Sequence, residues 1–182
     1  MVEQVGCRIG YPETGNDVFA GSLATWWDSA KHTLPPEDKR LAVLADADLQ
    51  TVSSTYGDLY ISLAAITRTG RIRRVGPTAA AKLLYFVRSC AVTAWDEKIS
   101  LRTGGGRDQT AFLRHLTTCR GWAASLEAEG RELGLKPGEI GPYLGRPASS
   151  VAKLVDEWLY ATITGGLGPA EPEYPEMGGH GE

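Results

Sequence analysis

The sequence predicts an all-α domain of six or seven helices, and three observations lead to that class. Apolar residues recur at helical spacing in one segment after another. Turns rich in proline or glycine separate those segments. No convincing set of strand segments is present, and there is no internal repeat. At 182 residues the chain is the size of one domain and long enough to bury a core.

Coil signals around Tyr11, Pro12 and Gly15 open the chain. Phe19, Leu23, Trp26, Trp27 and Ala30 predict a first helix over 18–32, broken by Pro35-Pro36. A second opens at Pro36, where proline suits the first helical position and the acids Glu37 and Asp38 complement the helix dipole. It carries Leu41, Val43 and Leu44 and ends near Asp46. Tyr56, Leu59, Tyr60, Leu63 and Ile66 predict a third helix over 53–67, with a turn at Thr69-Gly70 after it. Gly76 and Pro77 make a tight turn into a fourth over 78–87. Arg102 to Asp108, RTGGGRD, reads as a flexible loop. Leu113, Leu116, Trp122 and Leu126 form the apolar face of a fifth helix over 112–131. The turn-rich string LKPGEIGPYLGRPASS leads into a final helix over 149–162 that holds Asp156, Glu157, Trp158 and Leu159. From 164 to 182 glycine, proline and glutamate dominate, and too little apolar area remains to offset the cost of ordering. The domain therefore spans 1–163, with a disordered tail over 164–182.

Hydrophobic content of 42% and charged content of 23% place the chain among ordinary globular proteins. No run approaches the ~18 apolar residues of a membrane span, so no membrane partner is expected. The opening MVEQVGCRIGYPETG lacks an apolar signal core, which predicts a cytoplasmic protein. Cys7, Cys90 and Cys119 are too far apart for a disulfide framework or a close-spaced metal site, and His32, His115 and His180 are equally scattered. No metal or other cofactor is expected, and the chain is expected to be monomeric.

Charge is distributed unevenly. Leu59 to Trp95 holds Arg68, Arg71, Arg73, Arg74, Lys82 and Arg88 without one carboxylate, although the whole chain carries a formal charge of -3. A basic block in a mildly acidic protein points to a local site for an anionic partner. Asp96 then follows Trp95 directly in the string TAWDEKI. A glycine turn between two helices presents backbone N–H groups that can hold phosphate oxygens, here around Val75, Gly76 and Thr78, with Arg71, Arg73 and Arg74 adding charge. The chain reversal at Arg88-Ser89-Cys90 brings Asp96 back toward that turn.

On these residues the sequence resembles the helix-hairpin-helix DNA glycosylase superfamily. Members carry a hairpin of the form L-P-G-x-G-x-x-T-A, then a helix, then a catalytic aspartate near twenty residues after the second glycine. RRVGPTAAAKLL stands where the hairpin would be, Gly76 takes the place of the second glycine, and Asp96 sits twenty residues after it. The resemblance covers 61–99 and treats the rest as all-α context. It implies that Asp96 is the catalytic aspartate and that DNA is the partner. Two departures stand out. Arg74 occupies the place of the first glycine, and Pro77, Thr78 and Ala79 stand where bifunctional members carry a lysine. A monofunctional glycosylase without lyase activity follows, outside the iron–sulfur branch. The superfamily's prokaryotic phage-defence members, which excise hypermodified phage bases, are among the relatives the resemblance suggests.

A carboxylate suits this chemistry because cleaving an N-glycosidic bond builds positive charge on the sugar, and because it can orient the attacking water. The target base must leave the stack, and aromatic side chains offset that cost. Trp26, Trp27, Tyr56, Tyr60 and Trp95 are the candidates for a base pocket, with Lys82, Arg102 and Arg107 as further DNA contacts. Competing readings stand beside these. Asp96 is also well placed to cap a helix starting at Glu97, and one of the adjacent Trp26 and Trp27 must face the core. The alternative function is a non-enzymatic DNA-binding or adaptor domain, through the hairpin or through a loose helix-turn-helix at PGEIGPYLGRPASSVAKLVDEWL. Asp156 and Glu157 make that last helix a poor major-groove reader.

Overall fold

A computed structural model describes residues 16–167. The fold is mostly helical, with seven α-helices among the described residues. They are α1 (Phe19–Ala30), α2 (Asp46–Ile61), α3 (Pro77–Val87), α4 (Glu97–Ile99), α5 (Gln109–Glu132), α6 (Ile140–Tyr143) and α7 (Val151–Leu159). The predicted opening coil, Cys7 and His180, and the tail from 168 onward lie outside the described residues.

The 24-residue α5 is the centre of the core. Asp108 caps it, its carboxylate accepting from Ala111 N at 2.8 Å, and Ala111, Phe112, Leu116, Cys119 and Ala123 form its buried stripe. α2 packs along one side through Leu49, Val52, Tyr56 and Leu59, a spacing that returns to one helix face. α7 packs along another side through Val151, Ala152, Val155 and Leu159. An aromatic cluster joins the layers: Tyr56 stacks on Phe112 at 4.1 Å between centroids, and Trp95 meets Phe112 edge-on at 4.9 Å.

Three predicted features differ. The helix expected over 36–46 is a turn followed by a short 3₁₀ segment, Leu41–Val43, whose Leu41 and Leu44 plug the core without a helical stripe. The helix expected over 53–67 begins earlier, because the Asp48 carboxylate accepts from Ala45 N at 2.8 Å and caps the start of α2. It also ends earlier, at Ile61, where a small antiparallel sheet takes over. Its strands are β1 (Asn16–Asp17), β2 (Leu63–Ile66) and β3 (Ile72–Arg74), in the order β1-β2-β3. The predicted turn at Thr69-Gly70 becomes the tip of the β2–β3 hairpin. Gly70 has φ +79, where a side chain is disfavoured, and Thr67 N donates to Arg71 O at 2.9 Å.

The hairpin corrects the expected helix-hairpin-helix. The element entering Gly76 is strand β3, not a helix. Its ends are nevertheless tied to α2, since Val75 N donates to Ser62 O and Gly76 N to Tyr60 O, both at 3.0 Å. The start of α3 therefore abuts the end of α2, with the hairpin as an excursion between them.

His115 is fully buried on α5, with Nε2 2.9 Å from Thr93 Oγ1 and Nδ1 2.7 Å from Thr103 Oγ1. Burial pushes its pKa down to about 4, and a hydrogen bond to the Thr93 backbone offsets only part of this. Above pH 6.5 the imidazole is neutral in both folded and unfolded chains. Between pH 6.5 and 4 only the unfolded chain takes the proton, so stability falls with pH across that window and this group adds no further loss below it. The total is about 3 kcal/mol. Chemical denaturation at pH 7, 6, 5 and 4 measures the slope, and His115→Gln, which cannot take the proton, flattens it.

Candidate functional site

After α3 the chain turns at Arg88 and runs from Val92 to Asp96 without regular structure. Val92, Thr93 and Trp95 are buried, and Trp95 is locked between Tyr56, Phe112 and His115. That anchoring delivers the next residue, Asp96, to the surface where α4 begins. Asp96 is the N-cap of α4: Oδ1 accepts from Ile99 N at 2.9 Å. Oδ2 accepts from Thr164 Oγ1 at 2.6 Å. Both helical runs that meet here end in a π turn, Ser100–Gly104 after α4 and Tyr160–Thr164 after α7. Such turns are rare and recur at functional sites.

Asp96 lines a cleft of about 730 Å³, within the size range of ligand sites. α3 supplies Lys82, Tyr85 and Phe86; α7 and its π turn supply Lys153, Asp156, Glu157 and Tyr160; Arg146 comes from the loop before α7. Phe86 and Tyr160 are 83% and 60% exposed, so the rim of the cleft is aromatic and open.

The charges cancel. Lys82, Arg146 and Lys153 face Asp96, Asp156 and Glu157. Lys153 Nζ lies 2.7 Å from Asp156 and 3.8 Å from Glu157, and Arg146 pairs with Glu157. The Asp156 side chain is only 15% exposed. Burial pushes its carboxyl above the usual range, and Lys153 and Lys82 offset part of that. Burial works against the Lys153 charge, but Asp156, Tyr85 and Glu157 outweigh it and hold its pKa above the ordinary value. The Lys153 ammonium also sits 5.4 Å from the centre of the Tyr85 ring, whose phenol burial shifts upward. A cleft with donors, acceptors and aromatic walls but no net charge suits an uncharged flat ring with a polar edge better than an anion.

The sequence-predicted residues are distributed differently from expectation. Asp96, Lys82 and Trp95 do line one cleft. Trp26 and Tyr56 are core: Trp26 Nε1 donates to Thr55 O at 3.1 Å, and the Tyr56 hydroxyl to Arg107 O at 2.7 Å. Tyr60 stacks on Tyr56, and Trp27 lies under Arg88 at 5.6 Å, so neither faces the Asp96 cleft. Arg71, Arg73 and Arg74 are exposed on the hairpin, although Arg74 also bonds Ile61 O at the end of α2. Val75 and Gly76 do not offer their N–H groups to phosphate, because both are spent on α2. Thr78 accepts from Arg107 Nη2 at 3.1 Å while Arg107 Nη1 pairs with Glu97 at 3.3 Å, so Arg107 ties α3 to α4 instead of reaching out. Arg102 is exposed on the π turn after α4. Arg88 is buried, donating to Pro35 O and Val87 O.

The expected glycine loop is a packed turn in part. A side chain at Gly104 would meet Ala111 O at 2.6 Å and the Trp95 ring at 3.0 Å. The loose helix-turn-helix resolves into packing, with α6 only four residues long and α7 buried along its apolar stripe.

Sequence reasoning missed Tyr85, Phe86, Arg146, Lys153, Asp156, Glu157 and Tyr160 as cleft residues, and Thr164 as a partner of Asp96. A signal was present for most. Lys82, Tyr85 and Phe86 stand at i, i+3, i+4, and Lys153, Asp156, Glu157 and Tyr160 at i, i+3, i+4, i+7, so each set shares one helix face. Among the described residues no group of three or more His, Cys, Asp or Glu is placed to hold a metal ion, and no helix is long and apolar enough to cross a membrane. No protein-family model, curated protein or solved structure matches the chain.

Proposed function

We propose that the chain is a monofunctional DNA N-glycosylase that removes a modified base, with Asp96 as its catalytic carboxylate. The observation that carries the reading is the setting of Asp96: it lies in a cleft of balanced charge with aromatic walls, a chemistry that fits a nucleobase turned out of the helix. Tyr85, Phe86 and Tyr160, with Trp95, wall the base pocket in place of Trp26, Trp27, Tyr56 and Tyr60. The phosphate backbone is held outside the cleft, by the exposed arginines of the β2–β3 hairpin.

The reaction is a hydrolysis. The C1′–N bond breaks and its electron pair leaves on the base nitrogen. The oxygen of water bonds to C1′, one of its protons stays on the new hydroxyl, and the other ends on the base. Asp96 stabilises the positive charge that develops on the sugar and accepts the proton of the attacking water on its way to the base. Lys82 lines the same cleft, but no lyase step through a Schiff base is proposed, because Pro77, Thr78 and Ala79 stand where the bifunctional relatives carry their lysine. The reading has the enzyme acting as a cytoplasmic monomer without a cofactor, on damaged bases or on the modified bases of phage DNA.

The test is a panel of duplexes, each with one oxidised, alkylated, deaminated or mismatched base, together with modified phage DNAs. Strand breaks that appear only after alkali identify base excision without lyase activity. The second reading, a non-catalytic DNA-binding domain, is favoured by the cap bond of Asp96 to Ile99 N, which accounts for an aspartate there without chemistry. Binding without base loss is its outcome.

The hairpin yields its own expectation. Arg71→Ala together with Arg73→Ala weakens binding to all duplexes alike, whatever base they carry. The slope of log affinity against log salt shrinks by about 2, one unit per lost phosphate contact. Fluorescence anisotropy between low and high salt measures it. An unchanged slope moves the backbone contact elsewhere on the surface.

A further inference from the structure

We infer that Thr164 is the positioning residue of Asp96: its hydroxyl holds the carboxylate in the orientation from which it acts. The inference rests on the glycosylase reading above and adds a residue that lies beyond the domain boundary predicted at 163. Two bonds fix the Asp96 carboxylate, and they come from segments far apart in sequence. Ile99 N, on the same turn of chain, donates to Oδ1 at 2.9 Å. Thr164 Oγ1, 68 residues away, donates to Oδ2 at 2.6 Å.

A carboxylate bound only at Oδ1 rotates about its Cα–Cβ and Cβ–Cγ bonds. The second donor removes that freedom and sets which lone pairs remain for water and for the sugar. The route by which Thr164 arrives is specific. α7 does not run on as a regular helix but widens into the π turn Tyr160–Thr164, closed by Gly165 N donating to Tyr160 O at 2.7 Å. One extra residue in a turn shifts the side chains that follow by about 100° around the axis. The same π turn places Tyr160 on the wall of the cleft. A short polar side chain from the π turn after α7 thus reaches the candidate catalytic group, with α4 and the π turn packed together.

The experiment compares wild type, Thr164→Val and Thr164→Ser on the duplex from which wild type releases a base. Valine keeps the shape and removes the donor; serine keeps the donor. In Thr164→Val, kcat falls about 10- to 100-fold, as for a displaced reacting group, with KM and the circular dichroism spectrum unchanged. Thr164→Ser restores kcat. In an Asp96→Asn background, Thr164→Val lowers the residual rate no further, because its effect passes through the carboxylate. Thr164→Ala serves as the second donor-less variant if valine does not fold. An unchanged kcat in a folded donor-less variant overturns the role of Thr164 and leaves Asp96 standing. So does an equal loss in the Asn background, which marks a purely structural role. If wild type releases no base from any duplex of the panel, the glycosylase reading and this inference fall together.

Discussion

Asp96→Asn removes base release, by about 10²- to 10⁴-fold, while the protein melts at nearly the wild-type temperature. The substitution separates two things Asp96 does. As an N-cap it accepts from Ile99 N, and asparagine caps a helix as well as aspartate. As a carboxylate it carries a charge that asparagine lacks. Asp96→Ala removes both, and adds a stability loss of about 0.5–2 kcal/mol for the missing cap. The pair of variants therefore reads out capping and chemistry on different axes. If Asn and Ala lose activity only in proportion to their loss of fold, the residue is a cap and nothing more.

Tyr56→Ala destabilises the protein by about 3–5 kcal/mol, the range for removing a large buried aromatic residue. The ring is fully buried, stacked on Phe112 and Tyr60 and edge-on to Trp95, and its hydroxyl donates to Arg107 O. The cavity left behind lies directly beneath Trp95, so loss of activity accompanies loss of fold. Tyr160→Ala is the contrast. Its ring is exposed on the cleft wall, so the stability change stays within about 0.5 kcal/mol, but the base loses a wall and KM rises. Urea unfolding and steady-state kinetics on the two variants check both halves. A stable Tyr56→Ala that binds its base poorly would return Tyr56 to the base pocket.

Those two tyrosines show what was legible in the sequence and what was not. Tyr56 could have been read as core, because Leu49, Val52, Tyr56 and Leu59 share one helix face; the uncertain start of α2 hid that stripe. Helices α1, α3, α5 and α7 were legible because their apolar spacing is sustained and proline, glycine or serine marks their ends. The sheet was not, since strands of two to four residues are too short for alternation to emerge. That omission cost the phosphate-gripping turn, whose N–H groups bond α2.

Asp96 itself was legible from its local string. Its surroundings were not, because α3 and α7 lie some 70 positions apart, and their polar faces meet only through tertiary packing, α3 against α2 and α7 against α5. Thr164 was lost for a different reason. The composition of the tail set the predicted boundary at 163, which left Thr164 out of the candidate site, and no sequence pattern announces a π turn.

The central claim is that Asp96 sits where a base is cut from DNA, and the most direct measurement is of the base itself. Duplexes from the panel are incubated with wild type and with Asp96→Asn, and the small-molecule fraction is analysed by mass spectrometry for free base. A released base from wild type, absent with Asp96→Asn, and an abasic strand that breaks only in alkali are the predicted results. DNA that is bound by both proteins, with affinity falling steeply as salt rises and no free base from either, contradicts the claim and leaves a DNA-binding domain whose Asp96 is a helix cap.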